Sequence, residues 1–283
     1  MISNLPDSIL CHILSFISTK QAAITSVLSK RWRPLWLSVL ALNFNSNDFK
    51  TFVRFVCVIN STMKRRDITL PIHSFRLRCP NYYSFDQKDV NQFVHFVLQR
   101  GIQNFYLHLP ETCMIQTKLP HNMLSCRTLE VLKLKSIMIV DISHLVDIGL
   151  PCLKTLHLSR VQFGCHQHVM KLLSGCPILE DLKTKWLHAP TGNERHALEE
   201  NFRSFPSLIK ARVFDLSFLI SMVSTCITQQ LPMFQSLTYL ELNFNDQDWI
   251  LRGFWLLEVL KHSPKLQNFT IQVLSMFIIF FTY

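Results

Sequence analysis

One pattern returns eight times along this chain and restricts it to a stacked-repeat architecture. An apolar residue is followed by two variable residues, a second apolar residue, one variable residue and a third apolar position. It reads Ile72-Phe75-Leu77, Ile102-Phe105-Leu107, Leu129-Leu132-Leu134, Leu153-Leu156-Leu158, Leu179-Leu182-Thr184, Leu208-Ala211-Val213, Leu237-Leu240-Leu242 and Leu266-Phe269-Ile271. Successive starts lie 30, 27, 24, 26, 29, 29 and 29 residues apart. A recurring interval of this size marks units that cannot bury a hydrophobic face alone and must stack on their neighbours. The last two apolar positions alternate, so a short strand points both into one core while the residues between them face outward.

Between the strand motifs the apolar spacing changes to three or four residues, which predicts helical returns over 49–63, 89–100, 166–173, 194–202 and 249–262. Gly101 reads as a helix stop, and Pro177, Pro206 and Pro264 each precede the next strand motif by a few residues. The expected class is α/β: a curved, horseshoe-like solenoid of about eight irregular units.

That register assigns the outward positions, and their chemistry is biased. They are Ser74, Arg76, Arg78, Asn104, Tyr106, His108, Val131, Lys133, Lys135, Thr155, His157, Ser159, Asp181, Lys183, Lys185, Lys210, Arg212, Phe214, Tyr239, Glu241, Asn243, Asn268, Thr270 and Gln272. Eight are Lys or Arg against two acidic residues, so the strand face carries +6 of the chain's formal +10. Positive potential concentrated there would speed association with an acidic partner. Cationic stems laid across strands for solubility are the alternative. Arg76, Arg78, Tyr106, Lys133, Lys135, His157, Lys183, Lys185, Lys210, Arg212, Phe214 and Tyr239 are the candidate target-binding residues, the aromatic ones as anchors. The expected target segment is acidic or phosphorylated.

The N-terminus follows a different rule. Leu5-Pro6-Asp7 opens a short stretch in which Ile9, Leu10, Ile13, Leu14 and Ile17 recur at helical spacing, and Pro6 suits a first helical turn. Further helices are predicted over 19–28 and 30–37, the last within Val27-Leu28-Ser29-Lys30-Arg31-Trp32 and on to Trp36. Three helices in about forty residues make a core too small to be self-sufficient. The two blocks resemble the F-box in its plant form, which implies docking onto the Skp-type adaptor of a cullin-RING ubiquitin ligase. On that resemblance Leu5, Pro6, Ile9, Leu10, Ile13 and Leu14 form the adaptor-binding face, and Leu28, Trp32 and Trp36 the module's core. Two departures stand out: Ile17-Ser18 replaces the usual Leu-Pro, which is expected to loosen the turn, and Gln21 replaces an acidic residue, removing a helix-start charge.

Residues 70 to 272 resemble the leucine-rich repeat region of plant F-box proteins, many of which end in a further small domain called FBD. The expected domains are 1–44 for the F-box, 45–272 for the repeat solenoid, and an apolar tail over 273–283 that reads as an abnormal end of a truncated product, without the FBD segment.

No other chemistry emerges. Cys165-His166-Gln167-His168, with Cys176 nearby, lacks a C-x-x-C pair and the convergent ligand set a zinc site needs. His157 and His196 have no nucleophile partner, and six glycines offer no phosphate-cradling loop. No catalytic residue, metal or cofactor is expected, and neither nucleic acid nor membrane as partner. Lys64-Arg65-Arg66 reads as a solvated loop, with a nuclear-import signal as the alternative. Nine cysteines without a disulfide-like framework read as reduced thiols of a nuclear or cytoplasmic protein. Three functions compete: a substrate receptor reaching cullin and RING subunits through the adaptor, a repeat-based interaction protein or decoy outside ubiquitin transfer, and a receptor for a small anion.

Overall fold

The computed structural model describes residues 4–80, 85–139, 142, 148–189, 205–214, 234–245, 256–257 and 259–274. The chain divides into two compact units, Met1–Met138 and Ile139–Tyr283. Among the described residues, no helix is long and apolar enough to cross a membrane.

Unit 1 opens with α1 (Asp7–Leu14), α2 (Thr19–Ile24), a 3-10 turn over Thr25–Val27, and α3 (Trp32–Ser38). The second helix is shorter than its apolar spacing predicts, since the chain tightens into the 3-10 turn after Ile24. Leu10, Leu14, Ala22, Trp32, Leu35, Trp36 and Val39 form the buried core of this module. The unusual Ser18 and Gln21 correct the expected loosening. Ser18 Oγ accepts from the Gln21 N–H at 3.3 Å, and the Ser18 N–H donates to Gln21 Oε1 at 3.1 Å. This reciprocal pair satisfies two unpaired helix-start donors without proline or charge.

Next come β1 (Ala41–Asn45), α4 (Phe52–Arg65), β2 (Ser74–Arg78), α5 (Gln87–Leu98), β3 (Asn104–His108) and β4 (Val131–Ile139). The four strands run parallel in the order β1, β2, β3, β4. Two inward ladders cross them, Leu42–Phe75–Phe105–Leu132 and Phe44–Leu77–Leu107–Leu134. Phe75 stacks on Phe105 at 5.7 Å, and Phe55, Phe85 and Phe93 continue the aromatic core toward the helices. The fifth helix begins two residues before its expected start because Asp86 caps it, accepting from the Asp89 N–H at 2.8 Å.

Two sequence expectations fail at the junction between the helical module and the sheet. The boundary after residue 44 cuts through β1, a strand the eight-motif pattern missed. The basic triplet is not a solvated loop: Lys64 and Arg65 end α4, and Arg66 is 2% exposed. Its guanidinium donates to the carbonyls of Leu37 at 2.7 Å, Val39 at 2.6 Å and Pro71 at 2.8 Å. One side chain therefore joins the end of the helical module to the chain entering β2. Burial, reinforced by the charge of Arg100, pushes its pKa down to about 10, and it stays cationic at neutral pH. The Asn43 N–H donates to Thr19 Oγ1 at 2.8 Å, adding a bond between α2 and β1.

Unit 2 contains β5 (Thr155–Phe163), α6 (His166–Ser174), β6 (Asp181–His188), β7 (Lys210–Phe214), β8 (Tyr239–Asn245) and β9 (Asn268–Leu274). Its five strands are parallel and adjacent in chain order, with inward ladders Leu156–Leu182–Ala211–Leu240–Phe269 and Leu158–Thr184–Val213–Leu242–Ile271. The predicted return over 194–202 lies outside the described residues, as does most of that over 249–262. Val273 and Leu274 complete β9, pairing with Phe244 and Asn245, so the boundary drawn after residue 272 splits a strand. The remainder of the expected tail lies outside the described residues.

Three long strands carry the same irregularity. Ser136, Arg160 and Trp186, each the sixth residue of β4, β5 or β6, have φ of 60°, 51° and 51°. A left-handed residue inserted there shifts the alternation by one, which returns Ile137, Val161 and Leu187 to the buried side.

Candidate interaction surfaces

The helical module buries some of its expected docking residues and exposes others. Leu10 and Leu14, one turn apart on α1, face the module's own core and cannot form a docking surface, contrary to expectation. Ile9, Ile13 and Phe16 occupy the adjacent stripe and face solvent, with Phe16 74% exposed. Leu5 is partly buried against the core, while Pro6 is exposed. Trp32 and Trp36 are buried. Leu28, expected in the core, is 65% exposed, because it ends the 3-10 turn that also leaves Ile24 and Val27 outside.

Six of the fourteen large apolar side chains exposed among the described residues thus fall within positions 9–28. That concentration is high for a small module, since exposed apolar side chains on soluble proteins are ordinarily scattered. Arg31 locks the two sequence blocks together: its Nε donates to Asp7 Oδ1 at 2.8 Å and its Nη2 to the Leu5 carbonyl at 2.5 Å. Neither residue carried an expected role, although opposite charges in the two blocks were a readable signal. Both are exposed, so the pair orients the segment more than it stabilises it.

The strands present the outward side chains in the expected register. In unit 1 the rows are Arg76–Tyr106–Lys133 and Arg78–His108–Lys135. The Arg76 guanidinium lies 5.2 Å from the Tyr106 ring centroid, and His108 is buried despite its outward position.

In unit 2 the rows are Thr155–Asp181–Lys210–Tyr239–Asn268, His157–Lys183–Arg212–Glu241–Thr270 and Ser159–Lys185–Phe214–Asn243–Gln272. Two expected target-binding residues are engaged internally by Asp181. Its carboxylate meets His157 Nε2 at 2.9 Å and Arg212 Nη2 at 3.2 Å. Burial acts to raise the Asp181 pKa but is outweighed by the His157 hydrogen bond and charge and by Arg212, so the carboxyl sits below its ordinary value. The Tyr239 hydroxyl donates to Glu241 at 3.1 Å, which pushes the phenol pKa up, and Lys210 covers its ring at 4.5 Å.

Lys183, Lys185 and Lys210 remain without a carboxylate partner among the described residues. Lys183 and Lys185 both lie 5.6 Å from the Phe214 ring. Trp186 stands between two cations, Lys185 at 4.3 Å and Arg160 at 4.5 Å. Arg160 and Trp186 were absent from the expected site. The signal was the skipped apolar beat in Leu156-Leu158-Val161 and Leu182-Thr184-Leu187, which requires a bulge.

Among the described residues, no three His, Cys, Asp or Glu side chains converge as a metal site. Cys176 sits in apolar surroundings where burial pushes its thiol up to about 12, far from a reactive thiolate.

Comparison with known proteins separates the helical module from the strands that follow it. The F-box domain model matches residues 2–41, ending where β1 begins. The model of the leucine-rich repeats of FBD-associated F-box protein At5g56370 matches residues 90–195. Similar Arabidopsis thaliana proteins include F-box/FBD/LRR-repeat protein At4g00160, 38% identical over 187 residues that make up 64% of this chain and 40% of that protein. F-box/LRR-repeat protein At4g14103 is 38% identical over 189 residues, covering 64% of this chain and 48% of that one. F-box protein At4g09920 is 35% identical over 189 residues, 64% and 57% respectively. The chain thus spans roughly half the length of these relatives. It carries an F-box domain followed by leucine-rich repeats of the FBD-associated F-box protein family.

Proposed function

We propose that this chain is the substrate-recognition subunit of a cullin-RING ubiquitin ligase. Its F-box would dock the Skp-type adaptor, and through it the cullin and RING subunits, while the repeat strands hold a target protein. The observation that carries the reading is the concentration of exposed apolar side chains on the module the F-box model matches. In this reading α1 to α3 form the three-helix F-box, β2 to β9 belong to eight imperfect repeats, and the chain has no active site of its own. Ubiquitin transfer is then promoted by proximity, because tethering turns a bimolecular encounter into an effectively intramolecular one. The reduced-thiol composition supports a nuclear or cytoplasmic setting.

The test is capture of the full chain by purified Skp-type adaptor, comparing the native sequence with Phe16→Glu/Leu28→Glu. Both sites are exposed, so the fold should change by no more than about 0.5 kcal/mol each. Burying a carboxylate at an apolar interface should abolish capture. Full retention of the adaptor by the double variant would defeat the proposal, and a repeat-based interaction protein outside ubiquitin transfer would take its place.

A further inference from the structure

We infer that the β6–β7 face of unit 2 binds an extended acidic segment of the target protein with carboxylates at alternate residues. Only the statement that the segment belongs to a ligase target depends on the function proposed above.

The first argument is the placement of like charges. Lys183 of β6 is directly opposite Arg212 of β7, and Lys185 and Lys210 flank that pair on its two sides. All four are half-buried. Like charges directly opposite one another weaken a sheet. Among the described residues two carboxylates adjoin this block of four cations and both are engaged, Asp181 by His157 and Arg212, and Glu241, opposite Arg212 on β8, by the Tyr239 hydroxyl. Solubility alone is served as well by cations spread over the surface as by a block of this kind. The arrangement makes sense if a partner supplies the missing negative charge.

The second argument is spacing. Lys183 and Lys185 stand two residues apart on one strand, a separation of about 7 Å, and the Lys210–Arg212 column lies about 5 Å to the side. An extended peptide laid along the strands repeats its own side chains at the same two-residue interval. Carboxylates at positions i and i+2 can therefore meet both columns together. Cations distributed over two columns suit two separate carboxylates better than one compact anion.

The third argument is preorganisation. The Lys183 and Lys185 ammonium groups are held near the Phe214 ring, and Lys185 and Arg160 flank Trp186. Side chains already placed by cation–π contact lose less freedom when a ligand arrives. Arg160 and Trp186 adopt left-handed backbone, which is costly for residues of their size. That conformation leaves the indole 38% exposed at the end of the cation column, where it can cover an apolar residue following the second carboxylate.

Fluorescence anisotropy on the full chain tests this, with a labelled peptide of alternating Glu and Thr as the probe. Its Gln–Thr counterpart and a peptide bearing one phosphoserine and no Glu are the controls. The Glu peptide should bind at least about tenfold more tightly than the Gln peptide. The difference should collapse toward 1 M salt, where the Debye length falls to about 3 Å. K183M/K185M should weaken the Glu peptide by roughly tenfold with unchanged thermal unfolding. If that variant fails to fold, K185M alone gives the same reading at a smaller magnitude. Equal binding of the Glu and Gln peptides, or equal binding to native and variant chains, would overturn the inference, as would preference for the phosphoserine peptide. Adaptor capture is measured on the same preparations. Its loss with peptide binding retained counts against the ligase reading alone, and the reverse outcome against this site alone.

Discussion

In the readings proposed above, the F-box and the β6–β7 face meet their partners by opposite physics. The F-box has a core of seven buried residues and leaves Ile9, Ile13, Phe16, Ile24, Val27 and Leu28 in water. The strand face rests on a continuous apolar ladder and exposes cations over aromatic rings. Binding to the first gains from removing apolar area, at about 25 cal/mol per Å², and has little dependence on salt. Binding to the second gains from charge and weakens as salt screens it. A receptor of the proposed kind would hold its adaptor under conditions that release its target. The two regions also differ in how much stability they can lose, since a seven-residue core has few contacts to spare.

The strongest way to break the comparison is through the F-box core. Trp32→Ala should cost about 3–5 kcal/mol, the range for truncating a buried aromatic, and should unfold the module in denaturant titrations. Adaptor capture should disappear with it, while Glu-peptide binding at unit 2 persists. Arg66→Met should come next. It leaves three carbonyls without their donor and should cost about 3 kcal/mol, given that hydrogen bonds from a charged group are each worth about 1.5–3 kcal/mol. The expected signature is a split unfolding transition, with the F-box melting before the sheet of unit 1. A single shifted transition would mean that α2 and β1 couple the two parts without Arg66.

What the sequence disclosed and what it concealed follow from the range of the forces involved. Strand register was legible at every one of the eight motifs, because inward and outward residues alternate with period two and a slip would bury charges such as Lys183. The distinction between Leu10 and Ile9 was hidden: both belong to one broad apolar face on a helical projection, and only packing against Trp32, Leu35 and Trp36 decides which side turns inward. Arg66 was misread because a basic triplet carries no mark of the carbonyls at Leu37, Val39 and Pro71 that chain folding brings to it. The engagement of His157 by Asp181 was half visible, since both were placed outward on neighbouring strands. The bulges at Arg160 and Trp186 were written in a skipped apolar beat.

A smaller effect separates the two surfaces by salt. Adaptor capture by the native chain should change by less than about threefold between low and high salt, whereas Glu-peptide binding should fall steeply over the same range. Biosensor measurements of both on one preparation give the comparison directly. Parallel salt sensitivity would show that charges such as Arg31 and Asp7 contribute to adaptor docking as well as to the shape of the segment.

The smallest effect comes from Asp181→Asn, and its two readouts should move in opposite directions. Removing the carboxylate frees Arg212 and raises the charge of the β6–β7 face by one, so the Glu peptide should bind a few-fold more tightly. The same change removes a partly exposed ion pair worth no more than about 1 kcal/mol of stability. The sign with pH follows from the depressed carboxyl pKa. The folded state holds Asp181 ionised to lower pH than the unfolded chain, whose value is near 3.8. Its stabilising contribution is complete above that value and is lost as pH falls through the lower folded-state pKa. The difference in unfolding free energy between native and Asp181→Asn chains should therefore be constant from neutrality down to about pH 5 and shrink below about pH 4. Denaturant titrations across that range check it. A difference that changes between pH 5 and 7 instead would show that ionisation of the Asp181 carboxyl does not set the pH response of this face.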